Sequence, residues 1–218
     1  MKVGTDGVLL GAWADVSGAK SILDVGTGTG LIALMIAQRS QAKLTALEIE
    51  EAAYLQARDN IRQSPWHERI VPLHCSFQDY SNKYRLAHDR IITNPPYFNH
   101  SLASPDKDRT LARHSRRLSY EELLEGTLRL MEPHGKLSLI LPWEEGQRFL
   151  QMAGQKRLFA SRQTIVYPRA HKKPARILME LGFDKVAARE DTLTIEKEGR
   201  HRFTEEYMAL TRAFYLNF

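Results

Sequence analysis

The most constraining feature of this chain is a short apolar run followed by an acidic residue, three glycines and a helical segment. Residues 21–25, "SILDV", form the run, and "LIALMIAQR" at 31–39 has helical spacing. Glycines at positions 26, 28 and 30 separate the two segments. Glycine lets the backbone turn tightly without steric cost. A buried strand that turns directly into a helix opens a parallel-sheet unit, so we expect an α/β fold.

The same alternation of strand-like and helical segments continues along the chain. It predicts further strands and helices at residues 43–48, 50–64, 69–75, 89–93, 119–131 and 135–142. A hairpin at 163–168 and 175–183 and a closing helix at 204–216 follow. We therefore expect a Rossmann-like, mostly parallel seven-stranded sheet that ends in an antiparallel hairpin, with helices on both faces. One domain is expected over residues 1–218, with a lead-in at 1–20, a substrate loop at 98–118 and a basic part at 146–218.

Composition indicates the class of protein and the compartment in which we expect it. Hydrophobic residues make up 43% of the 218 positions, which is ordinary for a globular protein. No apolar run is long enough to span a bilayer, and the start lacks an export signal. Cys75 is the single cysteine, and the histidines show no ligand spacing, so neither a disulfide nor a metal site is expected. We expect a cytoplasmic protein.

The positive charge is concentrated in the second half of the chain. Residues 1–90 hold ten basic and ten acidic residues, whereas the whole chain has a net charge of +5. Residues 146–179 contain eight Lys and Arg and no Asp or Glu. A short charge run is usually a solvated face, but this length favours contact with a polyanion such as a nucleic acid. Residues 168–176, "PRAHKKPAR", are called the basic connection below because they join the two strands of the expected hairpin.

The glycine turn points to a nucleoside cofactor. Ligands of parallel sheets bind at the carboxyl ends of the strands. The dinucleotide pattern would need a third glycine where Leu31 stands, so a cofactor without a pyrophosphate is favoured. Glu48 ends the second strand, where a carboxylate can accept both hydroxyls of a ribose. A merely tight strand–helix turn would not explain Glu48. The candidate cofactor residues are Asp24, Gly26, Gly28, Gly30 and Glu48.

The segment "NPPY" at 94–97 follows the fourth strand and favours chemistry on a planar amine. The Asn94 side-chain oxygen and the Pro95 carbonyl can accept the two hydrogens of such an amine and so restore its lone pair. Pro95 and Pro96 hold these acceptors rigidly. Tyr97 offers a ring on which a splayed base can stack. The alternative is a stiff strand exit with an Asn turn.

Together, these motifs resemble those of class I S-adenosylmethionine-dependent methyltransferases with an Asn-Pro-Pro-Tyr motif. The resemblance implies S-adenosyl-L-methionine as cofactor, with Gly26 and Gly28 against its amino acid part and Glu48 against its ribose. It also implies further cofactor contacts from Asp6, Ser76, Phe77 and Asn94. Family members often carry Asp where Ser76 stands. Enzymes with this motif methylate adenine N6, guanine N2 or a glutamine side-chain amide.

Longer segments, including "MKVGTDGVLLGAWA" and "RHRFTEEYMALTRAFYL", resemble the bacterial tRNA adenine-N6-methyltransferases. This resemblance implies tRNA as partner and the adenine 3′ of the tRNA-Val anticodon as target. Such proteins usually carry an extra segment ahead of the position of Met1. The candidate RNA contacts are Pro96, Phe98, Arg109, Arg113, Arg116, Arg169, Lys172 and Lys173. A glutamine, rRNA or DNA amino-group methyltransferase and a non-catalytic RNA-binding module remain alternatives. Nothing sets an oligomeric state, so a monomer is the default expectation.

Overall fold

A computed structural model describes residues 4–85, 88–95, 118–198 and 202–215. Within them, eight strands form one sheet: β1 Ser21–Val25, β2 Lys43–Glu48, β3 Ile70–His74, β4 His88–Thr93, β5 Met131–Pro142, β6 Phe159–Arg169, β7 Arg176–Gly182 and β8 Arg189–Glu196. The strand order is β3-β2-β1-β4-β5-β7-β6-β8. Strand β7 runs antiparallel to both of its neighbours, and every other pairing is parallel.

Helices cover both faces of the sheet. They are α1 Thr5–Trp13, α2 Leu31–Arg39, α3 Glu51–Arg62, α4 Phe77–Lys83, α5 Tyr120–Leu130, α6 Trp143–Gln155 and α7 Glu205–Thr211, with short 3-10 turns at His67–Arg69 and Arg212–Phe214. Helices α1, α2, α3 and α7 contribute to one core cluster, and α4, α5 and α6 to another. Alternate residues of one strand enter different clusters, as Ile22 and Leu23 of β1 do. This alternation is the period-two signature of a strand buried on both faces.

The fold class predicted from the sequence is confirmed, and the structure adds an eighth strand. β8 was missed because its sequence, "REDTLTIE", has few apolar residues and it lies at the edge of the sheet. The segment 1–20, expected to be a lead-in, contains α1. That helix was missed because nearly all of its residues are buried, so no polar stripe marks the helical period. A capping box formed by Ser119 and Glu122 begins α5.

The antiparallel turn at the end of the sheet decides where the basic connection lies. Pro142, the last residue of β5, pairs with Arg176, the first residue of β7. Strand β5 runs parallel to β4, whose last residue is Thr93. The basic connection between β6 and β7 therefore lies at the same edge of the sheet as the carboxyl ends of β1, β2 and β4.

Candidate functional site

A cavity of about 480 Å³ opens at the carboxyl ends of β1, β2 and β4. We call it the strand-end cavity. Its walls are formed by Gly4, Gly7, Val25, Gly26, Thr27, Gly28, Thr29, Leu31, Ile32, Leu47, Glu48, Ile49, Glu50, Cys75, Ser76, Phe77, Gln78, Thr93, Asn94, Pro95 and Leu118. This volume is within the range of small-molecule sites. The structure thus brings the predicted glycine turn, Glu48 and Asn94 to a single cavity.

The glycine turn adopts the backbone conformation for which glycine is best suited. Gly26, Gly28 and Gly30 have φ values of 70°, 59° and 85°. These positive angles are strained for residues with a side chain. A Cβ added at Gly26 would meet no atom within 4 Å, so the backbone there faces open space. Gly30 is the N-cap of α2, and the turn therefore presents its backbone to the cavity beside a helix N-terminus.

Asp24 holds this turn from behind and does not line the cavity. Its side chain is 1% exposed. Its Oδ2 accepts hydrogen bonds from the Thr27 hydroxyl at 2.6 Å and the Ala33 N–H at 3.2 Å. Its Oδ1 is buried without a hydrogen-bond partner. Burial raises the pKa of Asp24 to about 7, although these two hydrogen bonds oppose the shift. Asp24, a predicted cofactor contact, thus lies behind the turn that forms the cavity wall and fixes it.

Glu48 is held in place by the backbone on both sides of it. Its Oε2 accepts the Gly28 N–H at 2.8 Å, which ties the end of β2 to the glycine turn. Its Oε1 accepts the N–H groups of Ile49 and Glu50, both at 2.9 Å. Three such bonds fix the orientation of a carboxylate that is only 8% exposed and lines the cavity. Carboxylate oxygens have further lone pairs, so this one can still accept bonds from a ligand.

The wall beyond β3 is formed by the first turn of α4. The Ser76 hydroxyl is the N-cap of this helix: it accepts the Asp79 N–H at 3.0 Å and donates to Asp79 Oδ2 at 2.7 Å. Ser76 and the buried Phe77, both predicted cofactor contacts, line the cavity. Cys75 and Gln78 also line it and were not among the predicted cofactor contacts. Burial raises the pKa of the Cys75 thiol, which therefore stays protonated at neutral pH.

Strand β4 brings Asn94 and Pro95 to the cavity. The Thr93 hydroxyl donates to the Val25 carbonyl at 2.9 Å, which ties the last residues of β4 and β1 together. Asn94 and Pro95 follow directly and line the cavity. Pro96, Tyr97 and Phe98 lie outside the described residues, as does most of the expected loop at 98–118.

Asp6 lies next to the cavity and is engaged elsewhere. Its Oδ2 accepts a hydrogen bond from Arg176 Nε at 2.8 Å. The cavity-lining residues of this segment are its neighbours Gly4 and Gly7. Sequence reasoning missed these two because nothing local shows that α1 packs against α2. A Cβ at Gly11 would come within 2.8 Å of the Met35 sulfur, which shows how closely the two helices approach.

Four of the eight cations at 146–179 are paired with acidic residues, three of which are remote in sequence. The ion pairs are Arg148 with Glu145, Lys156 with Glu125, Arg169 with Glu196, and Arg176 with Asp6. Arg162 stacks over the Trp13 ring at 3.6 Å. Lys172 and Lys173 are exposed at the edge that carries the cavity. The other candidate RNA contacts, Arg109, Arg113 and Arg116, lie outside the described residues.

The described parts of the chain contain neither a cluster of metal ligands nor a helix suited to crossing a membrane. No three His, Cys, Asp or Glu side chains there come together in a way that could hold a metal ion. Among the helices described, not one has the length and hydropathy that a bilayer crossing requires.

Comparison with known proteins identifies the family. The family described as Methyltransferase small domain matches residues 6–141, which include α1, the glycine turn, Glu48 and Asn94. The chain belongs to this family. A tRNA1(Val) (adenine(37)-N6)-methyltransferase of Bacteroides fragilis is 48% identical over 217 residues, covering 99% of this chain and 91% of that protein. A protein of the same name from Trichodesmium erythraeum is 43% identical, covering 100% of this chain and 92% of that one.

Solved structures show the same fold at low sequence identity. A protein from Agrobacterium tumefaciens, described as a predicted O-methyltransferase, has a TM-score of 0.73 and 22% identity, covering 95% of this chain and 96% of that one. The glycopeptide N-methyltransferase MtfA, complexed with S-adenosyl-L-methionine, has a TM-score of 0.55 and 13% identity, covering 84% of this chain and 100% of that one. The architecture is therefore shared among methyltransferases that differ widely in sequence.

Proposed function

We propose that this protein is an S-adenosyl-L-methionine-dependent methyltransferase that methylates N6 of an adenine in tRNA. The target we propose is the adenine at position 37 of tRNA1(Val), as in the names of the relatives. The observation that carries the proposal is near full-length identity of 48% to such a protein, combined with Asn94 at the cavity that holds the glycine turn and Glu48.

The residues of the strand-end cavity fit this cofactor. The open backbone at Gly26 leaves space for an amino acid moiety close to the turn, where a side chain would intrude. Glu48 presents a fixed carboxylate to ribose hydroxyls. Apolar Ile49 and Phe77 line the wall on which a purine ring can lie. The complex of MtfA with S-adenosyl-L-methionine provides a precedent for this cofactor within the fold.

Asn94 and Pro95 supply the chemistry of the amine. The exocyclic nitrogen of adenine is a poor nucleophile because its lone pair is delocalised into the ring. The Asn94 side-chain oxygen and the Pro95 carbonyl accept its two hydrogens, which pulls the nitrogen toward a tetrahedral shape. When bound, S-adenosyl-L-methionine supplies a methyl group on a positively charged sulfur. A carboxamide takes up no proton, so Asn94 orients the amine and the surplus proton leaves to solvent.

The remaining motif residues bind the substrate in this proposal. Tyr97 stacks on the target base once the base has left its own stack, and Pro96 and Phe98 are further contacts to the RNA. Lys172 and Lys173 contact phosphates of the tRNA from the same edge of the sheet. Arg109, Arg113 and Arg116 extend this contact, while Arg169 contributes less because its guanidinium is paired with Glu196 at 3.0 Å.

The proposal is tested by radiolabelled methyl transfer onto total tRNA, rRNA, DNA and ribosome-associated protein, followed by nucleoside analysis. We expect label in tRNA as N6-methyladenosine, and initial rates about 10²–10³-fold lower with the Asn94→Ala control. Label in a glutamine side chain, in rRNA or in DNA would replace the proposed substrate. Binding of tRNA without any transfer would indicate an RNA-binding module and would contradict the proposal.

A further inference from the structure

One ion pair joins the strand-end cavity to the basic connection. Arg176 Nε donates to Asp6 Oδ2 at 2.8 Å, and the two side chains are 31% and 21% exposed. Asp6 lies in the first turn of α1, and Arg176 is the first residue of β7. These residues are 170 positions apart in sequence, so the contact exists only in the folded protein.

At the strand-end cavity, the ion pair is made by the first turn of α1. Gly4 and Gly7, which flank Asp6, line the cavity. The later part of α1 is anchored independently by burial, since Leu9 and Leu10 are fully buried. Asp6 is the one charged residue among the nine of this helix. The helix has no side-chain cap at Gly4, and the Asp6 carboxylate joins its first turn to the first residue of β7.

On the other side, the pair belongs to a rigid part of the basic connection. The Ala175 carbonyl accepts the Trp143 N–H at 3.2 Å and an N–H of the Arg176 guanidinium at 2.9 Å. The Ala175 N–H in turn donates to the Val166 carbonyl at 2.9 Å. Arg176 is therefore fixed three residues after Lys173, which is exposed to solvent.

An ion pair of this exposure usually contributes little to global stability. Its placement indicates a different role, because the pair directly connects the helix turn at the cavity with the basic connection. We propose that Asp6 and Arg176 are positioning residues that hold the first turn of α1 at the cavity from the basic connection, so that cofactor and tRNA bind cooperatively. This inference rests on the proposed function for the identity of both ligands. Two ligands that order the same contact favour each other's binding.

The first measurement uses the cofactor alone. Titration calorimetry with S-adenosyl-L-methionine is carried out on the wild type, Asp6→Asn, Asp6→Glu and Glu196→Gln. The last variant is the matched control, because Arg169 and Glu196 form a pair at the same edge, at 3.0 Å and with exposures of 35% and 21%, that does not involve α1. We expect Asp6→Asn to raise Kd about fivefold or more, the lower end of site coupling. Asp6→Glu keeps the charge and should restore affinity, and Glu196→Gln should match the wild type.

The second measurement repeats these titrations with saturating tRNA. Wild-type affinity for the cofactor should rise about fivefold or more, whereas Asp6→Asn should show a change of less than about twofold. Turnover of Asp6→Asn at saturating cofactor should approach the wild-type value, and its thermal midpoint should equal that of Glu196→Gln.

The inference is overturned if Asp6→Asn binds the cofactor within twofold of the wild type, or if Glu196→Gln loses as much affinity. It is likewise overturned if tRNA binds the wild type without changing cofactor affinity. Failure of the proposed function looks different: no tRNA is methylated, and the cofactor-only titrations still decide whether the pair positions α1.

Discussion

Asp24→Asn gives the sharpest test of how the glycine turn is held. The carboxyl group is buried, and Oδ1 has no partner while Oδ2 has two. An asparagine oxygen can accept both existing bonds, from the Thr27 hydroxyl and the Ala33 N–H. The substitution therefore keeps the shape and the hydrogen bonds of the turn and removes the buried charge.

The magnitude follows from the pKa of Asp24, which is raised from 3.8 to about 7. A raised folded-state pKa stabilises the fold while the group is protonated, below pH 3.8, and this contribution is lost as the pH rises through 7. A pKa shift of about three units, at about 1.4 kcal/mol per unit, corresponds to a loss of at most about 4 kcal/mol in the free energy of unfolding. Asparagine does not titrate. We therefore expect Asp24→Asn to match the wild type near pH 4 and to exceed its free energy of unfolding by up to about 4 kcal/mol at pH 8.

The assay is urea unfolding of both proteins at intervals from pH 4 to pH 8, compared as a difference at each pH. The difference matters because a second buried group titrates in the opposite sense. Burial lowers the pKa of His88 to about 4, so His88 costs stability as the pH falls below 6.5. That contribution is common to both proteins and cancels. A pH-independent difference between Asp24→Asn and the wild type would refute the reasoning.

Three further predictions concern the proposed reaction. Asn94→Ala should bind S-adenosyl-L-methionine normally while the rate of methyl transfer falls about 10²–10³-fold, because an oriented acceptor is lost; calorimetry that shows an equal loss of cofactor affinity would contradict this role. Glu48→Ala should weaken cofactor binding by about 1.5–3 kcal/mol, and saturating cofactor should restore the rate unless Glu48 has another function. The double variant Lys172→Ala/Lys173→Ala should raise KM for tRNA. The slope of log binding constant against log salt concentration should shrink by up to about 0.7–0.9 for each phosphate contact that is lost. An unchanged slope would place the RNA elsewhere.

Local sequence determined the fold class and the main elements of the site. Short apolar runs that alternate with helical segments can be buried only as a sheet between helix layers. A glycine turn after such a run requires positive φ angles, and all three glycines adopt them. Glu48 and Asn94 were predictable because Glu48 ends one recognisable strand and Asn94 follows another, and the carboxyl ends of parallel strands meet at one edge.

Tertiary structure alone decided the roles that depend on remote partners. The sequence predicts Asp24 as a cofactor contact, and only the tertiary structure shows that it is buried behind the turn and bonded to Thr27. The run of cations at 146–179 reads as uncompensated, but Asp6, Glu125 and Glu196 reach it across the fold. Gly4 and Gly7 become cavity walls because α1 packs on α2. Charge compensation and burial act through space, and a pattern of neighbours along the chain carries no record of which remote groups will lie within a few ångströms.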